Sequence, residues 1–188
     1  MGRPRPLTRI QEPPVPLFDD EILAKIETSR NEIPHPSLEK GSSIYGSTKI
    51  FPDIQAEPGQ SYLTLIHGIA HESSVSFVAC LQALRALRKG FDSVVYFYGP
   101  GSMNAIATRG FPTTGDSAFP GEQNINNTLQ TFMDEGGTVF VCRFGLSLHG
   151  LREEDLMPGT IPCHPLDVQD ALIYFANKGA IINSTYMV

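Results

Sequence analysis

Gly137-Thr138-Val139-Phe140-Val141-Cys142-Arg143-Phe144-Gly145-Leu146-Ser147-Leu148-His149-Gly150 is the stretch that decides the fold. A short apolar run rich in β-branched residues ends in a cysteine, and a short helical pattern follows at once. In a parallel α/β sheet this order places the thiol at the carboxyl end of a strand, where ligands collect. A helix start beside it, with free N–H groups and the positive dipole end, favours a thiolate. The alternative for Cys142 is a buried small hydrophobe, the commoner fate of a free cysteine.

Outward from this stretch, strands and helices alternate. Tyr62-Leu63-Thr64-Leu65-Ile66-His67 reads as a buried strand, and His71 to Lys89 as a helix with Phe77, Cys80, Leu81, Leu84 and Leu87 on one face. Ser73 or Ser74 suits its start, Arg85, Arg88 and Lys89 its last turns, and Gly90 its close. Ser93–Tyr98 is a second strand, stopped by Gly99-Pro100-Gly101, with a short helix expected near Met103–Thr108. A long loop from Gly110 to Gly121 exceeds ordinary connector lengths and suits a lid or a subunit contact. Gln123 to Glu135 is a helix carrying Ile125, Leu129, Phe132 and Met133 inward. After the Cys142 strand comes a polar loop through Pro158 and Pro162, then a helix near Leu166–Asn177 presenting Val168, Leu172 and Phe175. Ala180–Tyr186 is a final strand. This alternation implies βαβ units, a mostly parallel sheet and helices on both faces.

Residues 1–58 have a different character. Nine of the 15 prolines fall before Ser61, and the only periodic piece is a short helix over Phe18–Ile26, with Asp19 or Asp20 as N-cap. The segment is an extended proline-rich arm whose apolar anchors, Val15, Leu17, Phe18, Ile22 and Leu23, need a surface elsewhere. The α/β domain is expected over 59–188.

A net charge of −6 and a pI near 5.3 argue against a nucleic-acid or anionic-membrane surface as the main partner. No apolar run reaches membrane-spanning length, so no membrane span is expected. The arginines at 3, 5 and 9 precede no apolar core, so no secretory signal is expected. Cys80, Cys142 and Cys163 form no disulfide framework and no CxxC pair. A soluble, reducing, cytoplasmic setting is the expectation.

Three strand ends, His67, Tyr98-Gly99 and Cys142, point to one sheet edge and form the expected crevice of an open α/β sheet. His67 and His71 are four apart, but Gly68 interrupts the helical geometry and no glutamate follows His67, so the zinc-protease pattern is absent. The two histidines read better as capping or hydrogen-bonding groups than as ligands, and no metal is expected. His67 can also orient an anionic ligand or favour the Cys142 thiolate. Gly99-Pro100-Gly101-Ser102 is no complete phosphate loop and supports only a tight turn with close backbone approach. Cys163-His164, between Pro162 and Pro165, reads as a loop thiol, either incidental or resolving. Cys80 lies on an apolar helix face.

Val139-Phe140-Val141-Cys142, eight steps to Gly150, then the acidic turn Arg152-Glu153-Glu154-Asp155-Leu156, resembles the DsrE/DsrF/TusD-like sulfur-relay superfamily. The resemblance covers about Ser61 to Val188. The proline-rich arm and Ile161-Pro162-Cys163-His164 resemble a divergent DsrE-like branch described as nitrogen-starvation-response proteins. It implies a three-layer sandwich with a mostly parallel sheet, assembly as a homo-oligomer (trimer or hexamer), and Cys142 as the sulfur-accepting residue. The chain departs from the sulfur-relay pattern at Arg143-Phe144, where small residues are usual.

Two functions of different class follow. One is a bacterial nitrogen-starvation stress-response protein, oligomeric and regulatory, holding a small ligand near His67, His71, Tyr98, Gly99, Arg143 and His149 without turnover. The other is a sulfur carrier that takes a persulfide on Cys142 and passes it to a partner protein. A weaker third is a metal site of His67, His71 and Cys142 or His149. No cofactor is implied, and no complete catalytic set is present, which favours the first.

Overall fold

A computed structural model describes residues 17–32, 48–69, 75–107 and 125–185. His71, Ser73, Ser74, Val15, Thr108, the Gly110–Gly121 loop, Gln123 and Tyr186, which carry sequence expectations, lie outside the described residues. The chain divides into Met1–Pro52 and Asp53–Val188.

Within the first unit, α1 spans Asp20–Arg30. Asp19 is its N-cap, its carboxylate accepting the Ile22 N–H at 2.9 Å, as the sequence suggested. No residue of α1 is buried.

In the second unit, residues 53–60 attach to the α/β body: the Ala56 N–H donates to the Lys89 carbonyl at 2.8 Å, and the Asp92 N–H to the Gln60 carbonyl at 2.9 Å. The sequence boundary at 58 therefore differs from the structural division after Pro52. The elements that follow are β1 (Ser61–Ile66), α2 (Val75–Arg88), β2 (Asp92–Phe97), a 3-10 helix (Gly99–Ala105), α3 (Ile125–Asp134), β3 (Thr138–Cys142), α4 (Arg143–Leu148), β4 (Ile161–Cys163), α5 (Asp167–Asn177) and β5 (Ile181–Thr185). The five strands form one parallel sheet in the order β4-β3-β2-β1-β5.

Topology and chain handedness explain the layers. From β1 to β4 the chain steps one way across the sheet, and then α5 carries it back to β5 beside β1. Right-handed crossovers running in opposite directions must use opposite faces. α2 and α3 accordingly cover one face, in a core with Ile66, Val95, Phe97, Val139 and Val141. α5 lies on the other, against Leu63, Leu65, Val94 and Tyr96. The alternation of side chains along each strand sorts them between the two cores, and both faces being covered is why the strands read as continuous apolar runs.

Two elements differ from their sequence readings. The short helix expected near Met103–Thr108 begins at Gly99, directly after β2. Cys163 is not in a loop. It ends β4, a three-residue strand pairing with β3 in the register Phe140↔Ile161, Val141↔Pro162, Cys142↔Cys163. Pro162 lacks an N–H to give a ladder, so this strand is confined to the sheet edge.

Candidate functional site

The carboxyl edge of the sheet is assembled by glycines that let backbone segments touch. A β-carbon on Gly101 would collide with the Ile66 carbonyl. One on Gly145 would collide with the Ser102 hydroxyl and stand 2.7 Å from the Gly99 carbonyl oxygen, so α4 seats directly on the 3-10 helix. Gly99 has φ +52°, and His67 lies against it. Polar side chains that sequence reading missed then tie the loops together. Asn104, fully buried, donates from Nδ2 to the carbonyls of Gly68 (2.7 Å) and Gly101 (3.0 Å). Ser76 donates to the same Gly68 carbonyl at 2.6 Å, and Ser102 donates to the Cys142 carbonyl at 3.4 Å. The signal was there, since buried polar groups must find partners, but nothing in the sequence says which loop carbonyls need them.

The side chains of interest form a row. Ile66 pairs with Phe97 and Phe97 with Val141, so one residue further on, His67, Tyr98 and Cys142 stand side by side; Cys163 continues the row on β4. The His67 and Tyr98 rings are 5.0 Å apart. Tyr98, Cys142 and Cys163 pack into the same core as Tyr96, on the α5 side of the sheet. The convergence of His67, Tyr98, Gly99 and Cys142 expected from the strand ends is therefore present, with Cys163 added to it.

Cys142 is 3% exposed and is the residue from which α4 starts. Cys163 is 8% exposed, its thiol donating to the Ile161 carbonyl at 3.3 Å, and burial pushes that thiol above its ordinary pKa. Burial likewise pushes the Tyr96 phenol far up, helped by the charges that Cys163 and Cys142 would carry. The Tyr96 hydroxyl is close enough to the Cys163 sulfur for this coupling, yet its geometry falls short of a hydrogen bond, and no other described group bonds it. No described residue bonds the buried Nδ1 of His67 either. The His67 backbone N–H donates to the Thr185 hydroxyl of β5 at 3.3 Å.

Two expected residues are engaged elsewhere. Arg143 pairs with Glu153 at 2.5 Å on the surface, and this bond raises the guanidinium pKa and lowers the carboxyl's. His149 holds Nδ1 2.8 Å from the Gly145 carbonyl, closing the end of α4; because a carbonyl only accepts, that nitrogen carries the proton. His164, next to Cys163, accepts the Leu166 N–H at Nδ1 (3.2 Å), while its backbone N–H donates to the Asp167 carboxylate (2.9 Å). Both hold the entry to α5. Among the described residues, no cluster of three or more His, Cys, Asp or Glu side chains is placed to hold a metal ion.

Below the row, an open apolar groove of about 360 Å³ runs between the sheet and α5, lined by Tyr96, Phe140, Cys163, Ala171, Tyr174 and Phe175 among others. Among the described residues, one helix, α5, packs on this face of the sheet, whereas α2 and α3 pack on the other.

These elements define a DsrE-like α/β fold, a five-stranded parallel sheet between helices. A solved structure of similar fold is the YchN protein from E. coli, which has 14% sequence identity to this chain and a TM-score of 0.52. The match covers 67% of this chain and 100% of that one. No family model and no curated protein matches the sequence. No helix among the described residues is long and apolar enough to cross a membrane.

Proposed function

We propose that this protein is a cytoplasmic, bacterial stress-response module of the nitrogen-starvation type. In this reading it is a homo-oligomer, trimeric or hexameric, that holds a small ligand at the carboxyl edge of its sheet and acts through binding, not turnover. The observation that carries the reading is the row His67–Tyr98–Cys142, in which Cys142 is 3% exposed. A thiol packed in this way serves as a wall of a site, whereas a nucleophile must be reached by its substrate. The His67 ring, supported by Tyr98 and Gly99, supplies the polar group that fixes a ligand's orientation. The arm of residues 1–58 supplies the contact between copies, because its apolar anchors are too few to bury one another.

Intact-mass spectrometry of the protein from its native host, under native and denaturing conditions, tests this. The expected result is a subunit assembly that releases a small organic molecule on denaturation. A subunit carrying the mass of one extra sulfur atom on Cys142 would replace the binding role with the carrier role. Light scattering on a chain lacking residues 1–58 tests the arm: an unchanged subunit count rules out its part in assembly.

The carrier reading retains one observation in its favour, the placement of Cys142 at the strand end where α4 begins. Incubation with a polysulfide donor decides it, since a carrier must load Cys142 and surrender the sulfur to a thiol acceptor.

A further inference from the structure

Cys142 and Cys163 are Cα partners on adjacent parallel strands, and register partners in a parallel ladder present their side chains on the same face. Adjacent strands lie about 4.8 Å apart, inside the range of about 4.4–6.8 Å that a disulfide spans between Cα atoms. Both residues belong to the core beneath α5, beside Tyr96. Cys80, the third cysteine, is packed in the core on the opposite face of the sheet. Both partners are free thiols. We propose that Cys142 and Cys163 are a redox pair that closes to an intrachain disulfide on exposure to a peroxide, independently of what the sheet edge binds.

Two further features fit such a pair. Cys163 lines the open groove and is the more exposed of the two, so it is where a small oxidant arrives. It also sits on a three-residue edge strand whose central residue is proline, so one side of β4 has no ladder to break when the strand shifts to accommodate S–S geometry. Chemically, the Cys163 sulfur attacks one peroxide oxygen; the O–O bond breaks, a sulfenic acid forms and one water leaves. The Cys142 sulfur then displaces the sulfenic oxygen, which leaves as a second water, and the S–S bond forms. In sum, two thiols lose their hydrogens and one hydrogen peroxide becomes two waters. Because burial holds the Cys163 thiol protonated beyond the usual range, the rate rises with pH past the point where an ordinary thiol levels off.

Peptide mapping of the reduced full-length protein after hydrogen peroxide treatment and alkylation tests the pair. The expected result is a linked peptide carrying Cys142 and Cys163 within a single chain, with both thiols lost from the alkylated pool in step. A thiol reductant restores them. Cys80→Ser should leave the link intact, and Cys142→Ser should leave Cys163 as a sulfenic acid trapped by dimedone. The wild-type map is decisive whether or not the variants fold. Overoxidation of Cys163 while Cys142 stays fully alkylable, or links found only between chains, would overturn the proposal.

Discussion

The imidazole of His67 lies against Gly99 so closely that a β-carbon there would stand 2.7 Å from Nε2. Gly99 also holds φ +52°, a conformation that costs an L-residue roughly 1–2 kcal/mol. Gly99→Ala should therefore destabilise the protein by about 1–3 kcal/mol, combining backbone strain with displacement of the ring. Urea unfolding reads the first effect, and the His67 ring resonances read the second. Wild-type stability with unmoved resonances would show that the contact does not constrain the site.

Asn104 holds the loop after β1 to the 3-10 helix through its two bonds to the Gly68 and Gly101 carbonyls. Asn104→Ala removes both donors from a fully buried position and should cost about 1–3 kcal/mol. The loss should be local as well as global, with faster amide exchange at Gly101 and Tyr98, whose N–H groups bond within the same turn region. Unchanged exchange at those amides would assign the clamp to other groups.

Tyr96→Phe removes a buried hydroxyl that no described group hydrogen-bonds, so it should leave stability within about 1 kcal/mol of wild type, or raise it. Tyr96→Ala should cost about 3–5 kcal/mol for the cavity. The pH dependence follows from the raised phenol. Folding keeps the phenol neutral, so its contribution is fully present below the unfolded value of about 10 and is lost as pH rises beyond it. Alkaline urea melts should show a falling limb that flattens in Tyr96→Phe; an identical limb in both proteins would place the alkaline transition elsewhere.

Arg88 donates to Glu135 through both Nε (2.8 Å) and Nη2 (2.6 Å), linking the ends of α2 and α3 and holding the carboxyl below its usual range. That contribution is present above the unfolded carboxyl pKa and is lost as pH falls through the folded one. Both groups are exposed, so the effect should be small and weaken in salt. Glu135→Gln should flatten the acid limb of a thermal stability profile at low ionic strength and match wild type at high salt. A gap that persists at high salt would indicate a packing role.

The sequence alone determined the alternation of β1 to β3 with α2 and α3, the final helix and strand, and the residues standing at the strand ends. Those features are local. Apolar periodicity, β-branched runs and glycine stops depend on neighbours along the chain, and so they were legible at Val139–Cys142 and Phe77–Leu87 without any partner in view. What lies between strands was not legible. Ile161-Pro162-Cys163 has no periodicity of its own and becomes β4 because the edge of β3 is open to it, a pairing between residues about twenty positions apart. The same nonlocal register sets Cys163 beside Cys142 and His67 beside Tyr98, and it leaves Arg143 and His149 bonded elsewhere. Which carbonyls Asn104 and Ser102 satisfy was decided only when three loops met at one sheet edge, because a buried donor takes its partner from whatever the packed chain brings within reach.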